Sequence, residues 1–138
     1  MSHVSEDFPR LYLAMAQFAG GKSGMVQIKR VYELPSAADG RRILVERLWP
    51  RGLTKQKARV DLWLKEVAPT SALRRWFGHD PGKWREFQRR YIAELKANAH
   101  ALQQLRAVAA AGRVTLVFAA RDVQQNSTVV LRRLLEQK

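Results

Sequence analysis

The apolar run at residues 114–119 constrains the fold of this chain more than any other segment. Its residues, Val-Thr-Leu-Val-Phe-Ala, include one hydroxyl and no charge. A strand with this pattern is covered on both faces, which is typical of a parallel sheet packed between layers. Residues 26–32 and 42–48, which combine β-branched or apolar side chains with nearby turn residues, predict two further strands.

Helices are predicted between these strands. Apolar side chains recur at helical spacing along several segments. Thr70 and Asn126 or Ser127 stand where helix caps are expected, because their side-chain oxygens can accept from the first backbone N–H groups. Strands that alternate with helices predict a small three-layer α/β sandwich, with a mostly parallel sheet flanked by helices. The predicted helices cover residues 60–67, 70–77, 83–97, 99–111 and 126–135.

One domain is expected at residues 25–138, because 138 residues with 46% hydrophobic side chains suffice for one packed core. Residues 1–24 differ, since a short apolar patch leads into a Gly-Gly-Lys-Ser-Gly stretch typical of a flexible join. We interpret them as an appendage, with Met25 as an alternative start. Residues 16–23 approach a phosphate-binding P-loop, but they lack its first glycine and its following helix.

The residue types that are missing exclude several classes of site. Without cysteine the chain has no disulfide, thiolate metal site or cysteine nucleophile. The three histidines show no metal-ligand spacing, so neither a metal nor a cofactor is predicted. No apolar stretch approaches the roughly 20 residues of a membrane helix. We therefore expect a cytoplasmic protein without a membrane partner, and the sequence leaves its oligomeric state open.

The charge of the chain is strongly positive. Twenty-five basic residues against 12 acidic ones give a net charge of +13, and residues 1–24 add nothing to it. Such a field attracts small anions, nucleic acids and acidic proteins, although net charge alone supports attraction and solubility rather than specificity. A small-anion site, a nucleic-acid surface and a plain basic interaction domain all stay open at this point.

The segment Arg-Leu-Trp-Pro-Arg-Gly at residues 47–52 is the first candidate for a binding site. Pro50 lacks the N–H needed to continue a strand, so the chain leaves the sheet here. In open α/β sheets, ligands bind beyond the carboxyl ends of the strands. The segment is therefore expected to present Arg47, Trp49 and Arg51 at that edge.

A second set of polar residues follows the strand at 114–119. Arg121 and Asp122 come directly after it, and Gln125, Asn126 and Ser127 stand at the start of the closing helix. The N–H groups at a helix start suit phosphate or carboxylate.

If the two strands are neighbours, both sets meet at one edge. Arg47 and Arg51 would then clamp an anion with help from Arg121, because arginine pairs with such groups through two hydrogen bonds. The alternative is that Arg47 forms an ion pair with Asp122 or Asp39 and only ties the sheet together.

Two further features leave a choice of interpretation. His79 and Asp122 are the candidate catalytic residues as proton donor and acceptor, whereas His79 could equally be a surface residue of a turn. Aromatic residues alternate with arginines over residues 74–91, as in surfaces that stack nucleic-acid bases. Their helical spacing favours burial in the core instead.

Several motifs together match one known family. They are Lys29-Arg30-Val31-Tyr32, Asp39-Gly40, residues 42–52, Trp63-Leu64-Lys65-Glu66, Trp76-Phe77-Gly78-His79 and Ala119-Ala120-Arg121-Asp122. Through these motifs the chain resembles the YeaO-like branch of the domain-of-unknown-function family 488. The resemblance covers residues 26–135 and implies a small three-layer α/β domain without an assigned biochemical role, so it leaves open whether the chain is an enzyme. It also implies two histidines flanking Asn126, where this chain has Gln125 and Ser127, which can hydrogen-bond but cannot replace histidine in acid–base or metal chemistry.

Overall fold

The computed structural model describes residues 26–137. The expectations for residues 1–24, the appendage and the P-loop-like stretch, lie outside this range. Short 3-10 helices occupy Ala37–Asp39, Lys65–Val67 and Pro81–Lys83. The strands and α-helices follow one another as β1 (Val26–Arg30), β2 (Arg41–Leu44), α1 (Lys55–Ala58), β3 (Leu62–Trp63), α2 (Ser71–Phe77), α3 (Trp84–Ala97), α4 (Ala99–Ala111), β4 (Val114–Phe118) and α5 (Ser127–Glu136).

Four parallel strands form one sheet in the order β1-β4-β2-β3. Leu116 of β4 lies between Ile28 of β1 and Ile43 of β2. All five residues of β4 are buried, which confirms the prediction of a strand covered on both faces. Because all strands run the same way, the carboxyl ends of β2 and β4 meet at one edge.

The two faces of the sheet are covered unequally. Helices α2 to α5 pack on one face and bury the main core against it. On the other face, Leu44 and Val117 pack against Ala58 of α1 and the half-buried rings of Trp49 and Trp63. The predicted α/β sandwich is confirmed, with one thick helical layer and one thin layer of a short helix and loops. Among the described residues, no helix is long and apolar enough to cross a membrane.

The prediction of a helix at residues 60–67 is wrong. This segment contains β3, which pairs in parallel with β2, and the Leu64 N–H donates to the Leu44 carbonyl at 2.9 Å. Leu62 faces the main core, whereas Trp63 packs on the opposite face. The apolar spacing that suggests two turns of helix thus arises from a strand with both faces covered, followed by one 3-10 turn.

The second strand is shorter than its predicted range of residues 42–48. It ends at Leu44, although the Val45 N–H still donates to the Val117 carbonyl at 3.3 Å. Glu46 is therefore the first residue to leave the sheet at the carboxyl edge.

A buried ion cluster ties the start of β2 to its neighbours. Arg42, 3% exposed, donates to Asp39 at 2.8 Å and to the Ala58 carbonyl through Nε and Nη2 at 3.0 and 2.8 Å. Lys29 lies 3.1 Å from the same carboxylate. Burial opposes ionisation of Asp39, but its hydrogen bonds with the Ser36 N–H, Arg42 and Lys29 lower its pKa overall. Asp39 thus pairs with these two cations rather than with Arg47.

Candidate functional site

A cleft of about 940 Å³ opens at the carboxyl edge of the sheet. Its walls come from the ends of β2 and β4, from α2 and the loop after it, and from the start of α5. The volume falls within the range of small-molecule sites. The rings of Phe77 and Phe118 supply apolar wall. The charged and titratable side chains that line it are Glu46, Arg74, Arg75, His79, Arg121 and Asp122.

Asn126 fixes the start of α5 at this cleft. Its Oδ1 accepts from the Thr128 N–H at 2.9 Å and from the Val129 N–H at 3.1 Å. Its Nδ2 donates to the Asp122 carbonyl at 2.7 Å, and the residue is only 4% exposed. The side chain therefore acts as a helix cap and also holds the loop before α5 in place.

Thr128 is a buried donor for which the described residues supply no partner. The residue is 0% exposed and lines the cleft in the first turn of α5, yet its Oγ1 makes no hydrogen bond. A buried polar group left in this state costs about 1–3 kcal/mol. Thr115, 1% exposed, provides the contrast, since its hydroxyl donates to the Asp39 carbonyl at 2.7 Å.

The loop between β4 and α5 is held from both sides. Arg30 donates to the Ala120 carbonyl at 2.9 Å and to the Ala119 carbonyl at 3.2 Å. Farther along, the exposed Asp122 carboxylate accepts from the backbone N–H groups of Gln124 and Gln125 at 2.9 and 3.0 Å. These fixed contacts hold the lining residues of the loop relative to the start of α5.

The hydrogen bonds to Asp122 also set its charge. The Gln124 N–H and then the Gln125 N–H lower the pKa of Asp122, and the positive charge of His79 acts in the same direction. The carboxylate is therefore ionised near neutral pH and already serves to fold its own loop.

Glu46 is the half-buried acid of the cleft. Its Oε2 accepts from the Ala119 N–H at 2.9 Å, which joins the chain beyond β2 to the chain beyond β4. Burial raises the pKa of Glu46, while this hydrogen bond and the charges of Arg74 and His79 act in the opposite direction. Among the described residues no cation lies within ion-pair distance of its carboxylate.

The structure does not bring the predicted arginine clamp to this cleft. Arg47 donates to the backbone carbonyls of Pro69 and Ala68 at 3.1 and 3.0 Å, and it does not line the cleft. Its hydrogen-bond acceptors are therefore carbonyls, not the carboxylates of Asp122 or Asp39 that the alternative interpretation named.

Trp49 and Arg51 also lie outside the cleft. The Trp49 indole donates to the Leu53 carbonyl at 2.6 Å, and its ring meets Trp63 edge-on at 5.5 Å. Arg51 is exposed, and its carbonyl accepts from the Tyr32 hydroxyl at 3.0 Å. Trp49 thus packs on the face of the sheet that α1 covers, whereas the cleft opens on the side of α2 and α5.

The other predicted site residues do come together. Arg121, Asp122, Asn126, Ser127 and the candidate His79 all line the one cleft. Gln125 is half-buried beside it, but it is not among the lining residues. Sequence reasoning missed the site positions of Glu46, Arg74 and Arg75. For the two arginines no local signal exists, because their position depends on how α2 packs.

The aromatic residues of α2 and α3 belong mainly to the core, as their spacing favours. The Phe77 and Phe87 rings stack at 4.4 Å, and the buried Tyr91 hydroxyl donates to the Val67 carbonyl. The half-buried Trp76 ring has the Arg90 guanidinium at 4.1 Å and the Lys83 ammonium at 5.0 Å from its centre. These contacts leave little open aromatic surface for stacked bases.

Sequence comparison relates this chain to known proteins. A family model described as the inactive DUF488-N3 subclade matches residues 25–138. Uncharacterized proteins of Mycobacterium tuberculosis (strain H37Rv) and Mycobacterium bovis are each 44% identical over 110 residues, covering 80% of this chain and 92% of each relative. The uncharacterized protein YeaO of Escherichia coli K12 is 38% identical over 106 residues, covering 77% of this chain and 92% of YeaO. No solved structure matches the chain.

Proposed function

The chain belongs to the DUF488 family, in the N3 subclade described as inactive, and from this premise we propose that it binds a small anion without converting it. The ligand carries a phosphate or a carboxylate and enters the cleft at the start of α5. The observation that carries the proposal is the buried, unpartnered Oγ1 of Thr128. It supplies a hydrogen-bond donor where the helix dipole already favours negative charge.

The surrounding side chains fit this ligand class. Arg74, Arg75 and Arg121 line the same cleft, and the planar guanidinium fork matches the geometry of phosphate and carboxylate. Ser127, half-buried at the first position of α5, offers a second hydroxyl. The cap by Asn126 holds both hydroxyls in place before any ligand arrives, so little ordering is needed on binding.

The contacts of the two candidate catalytic residues, Asp122 and His79, favour binding without catalysis. The Asp122 carboxylate is used by two backbone N–H groups of its loop. His79 is exposed, and no hydrogen bond from a described residue orients its ring. A general base needs an orienting partner and a reach to the reacting proton. We therefore assign His79 and Asp122 to the rim of a binding site.

Two matched threonine variants test the proposal. In Thr128→Val the unpartnered hydroxyl is replaced by a methyl of the same shape, so the unliganded protein should be as stable as wild type or slightly more stable. Melting is then followed with and without inorganic phosphate, and with a panel of phosphorylated and carboxylated metabolites. We expect at least one compound to raise the wild-type melting temperature and to lose most of that effect in Thr128→Val.

Thr115→Val is the control, because its hydroxyl is buried but already bonded to the Asp39 carbonyl. This variant should be destabilised by about 1–2 kcal/mol and should keep the wild-type response to the ligand. The proposal is contradicted if no anion stabilises the wild type. It is also contradicted if Thr128→Val responds as wild type does.

A further inference from the structure

Besides the proposed anion site, the cleft contains the carboxylate of Glu46, which can accept a further hydrogen bond. Glu46 lines the cleft, and the only hydrogen bond that its carboxylate accepts from the described residues goes to Oε2, from the Ala119 N–H. Oε1 has no donor among those residues. A partly buried carboxylate retains further acceptor sites when only one oxygen is bonded once. One of these sites is therefore available to a ligand.

The nearby cations do not occupy that position. Arg74 and His79 lie close enough to act on Glu46 electrostatically, but neither forms an ion pair with it. The cleft also has apolar lining, from Phe77, Phe118 and the 69% exposed side chain of Leu48. A few polar groups in a partly apolar cleft are typical of sites that orient one ligand.

From this arrangement we infer that the ligand is a phosphate or carboxylate compound that also carries an amine-type hydrogen-bond donor. The anion meets Thr128 and the start of α5, and the donor meets Glu46. The inference rests on the anion site proposed above and adds the second recognition element. This second element gives the acid in the wall of an anion-binding cleft a role. Its negative charge disfavours ligands that carry only negative groups.

A matched pair of probes tests the inference by calorimetric titration. O-phosphoethanolamine and ethyl phosphate carry the same phosphate ester, but only the first has an ammonium group. Because a hydrogen bond between an ammonium group and a carboxylate is stronger than one between neutral groups, we expect O-phosphoethanolamine to bind roughly tenfold more tightly or better. Glu46→Gln should reduce this preference to about onefold, since the neutral amide still accepts from the Ala119 N–H but no longer attracts a cation.

Glu66→Gln is the control with the same change of net charge. Glu66 is exposed and does not line the cleft, so this variant should keep the full preference for O-phosphoethanolamine. Equal binding of the two probes to the wild type would overturn the inference while leaving the anion site intact. A preference that survives in Glu46→Gln would overturn the assignment to Glu46. If neither probe nor inorganic phosphate binds, the inference fails for phosphate compounds, and the proposed function fails as well if the carboxylated compounds of the melting panel also leave the wild type unchanged.

Discussion

Two arginines near the same edge of the sheet differ in what their guanidinium groups contact. Arg47 is half-buried and donates to two carbonyls at the turn that leads into α2. Arg121 is exposed and lines the cleft. A guanidinium bound to carbonyls stabilises the fold, whereas one facing a cleft is available to a ligand. Sequence position alone assigns both residues the same role.

Alanine variants of these arginines should separate the two roles. Arg47→Ala leaves the Pro69 and Ala68 carbonyls without their donors, so we expect a loss of about 1–3 kcal/mol in unfolding free energy. Arg121→Ala should change stability by less than about 0.5 kcal/mol and should weaken phosphate binding. Urea denaturation and phosphate titration of both variants provide the measurements.

Arg47→Lys refines this comparison because it keeps the positive charge but lacks the planar fork. It should recover only part of the stability lost in Arg47→Ala. The assignment is contradicted if Arg47→Ala is as stable as wild type and loses phosphate binding, since that result would return Arg47 to the predicted clamp.

The sequence predicted residues that line one side of the cleft and missed residues that line the other side. Arg121 and Ser127 are close in sequence to Asn126, which caps α5, so local rules place them together. Arg47 leaves the site because its side chain turns toward the chain before α2, which lies more than 20 residues away. Glu46 lines the cleft because its carboxylate accepts from the Ala119 N–H, which lies 73 residues along the chain. Local patterns contain no information on this choice between neighbouring residues.

At the scale of whole elements, hydrophobic periodicity predicted the helices that bury only one face. Helices α3 and α4 each bury one apolar stripe, and both lie where residues 83–97 and 99–111 predict them. The strand β3 was missed because it has two residues and is defined by its backbone bonds to β2. Its side chains are covered on both faces, so they show no alternation.

The junction before β2 depends on one close approach between elements. Gly40 has φ +65°, and a Cβ built there would lie 2.3 Å from the Arg113 carbonyl oxygen just before β4. Gly52 has φ +76°, but a Cβ there would meet nothing within 4 Å. Both positions favour glycine through their backbone angles, and only Gly40 also excludes a side chain by contact.

Alanine at these two glycines should therefore give unequal losses of stability. Gly52→Ala carries only the strain of the left-handed backbone, about 1–2 kcal/mol. Gly40→Ala must also push the β2 junction away from the start of β4, so we expect its loss to exceed that of Gly52→Ala by at least about 2 kcal/mol. Urea denaturation measures both values. Equal losses would show that the contact with Arg113 adds nothing.

Across the whole molecule, two acids couple stability to pH in opposite directions. Asp39 has a lowered pKa because its hydrogen bonds outweigh its burial, so its contribution is present above pH 3.8 and is lost as the pH falls. Glu46 has a pKa raised by burial. In the range just above pH 4.5 the folded state keeps this proton while the unfolded state releases it, so stability falls as the pH rises.

The variant Glu46→Gln should isolate the second effect. Near pH 4.5 the variant should be about as stable as wild type. As the pH rises through the pKa of Glu46 in the folded protein, the unfolding free energy of the variant should increasingly exceed that of wild type, and the difference should then level off. Unfolding free energies from pH 4.5 to 8 give the difference curve. Glu66→Gln, with the same change in net charge, should show no such rise. A Glu46→Gln curve that is flat, or that falls with pH, would mean that the buried carboxylate is compensated in the folded protein, and the cleft would then lack the open acceptor on which donor recognition depends.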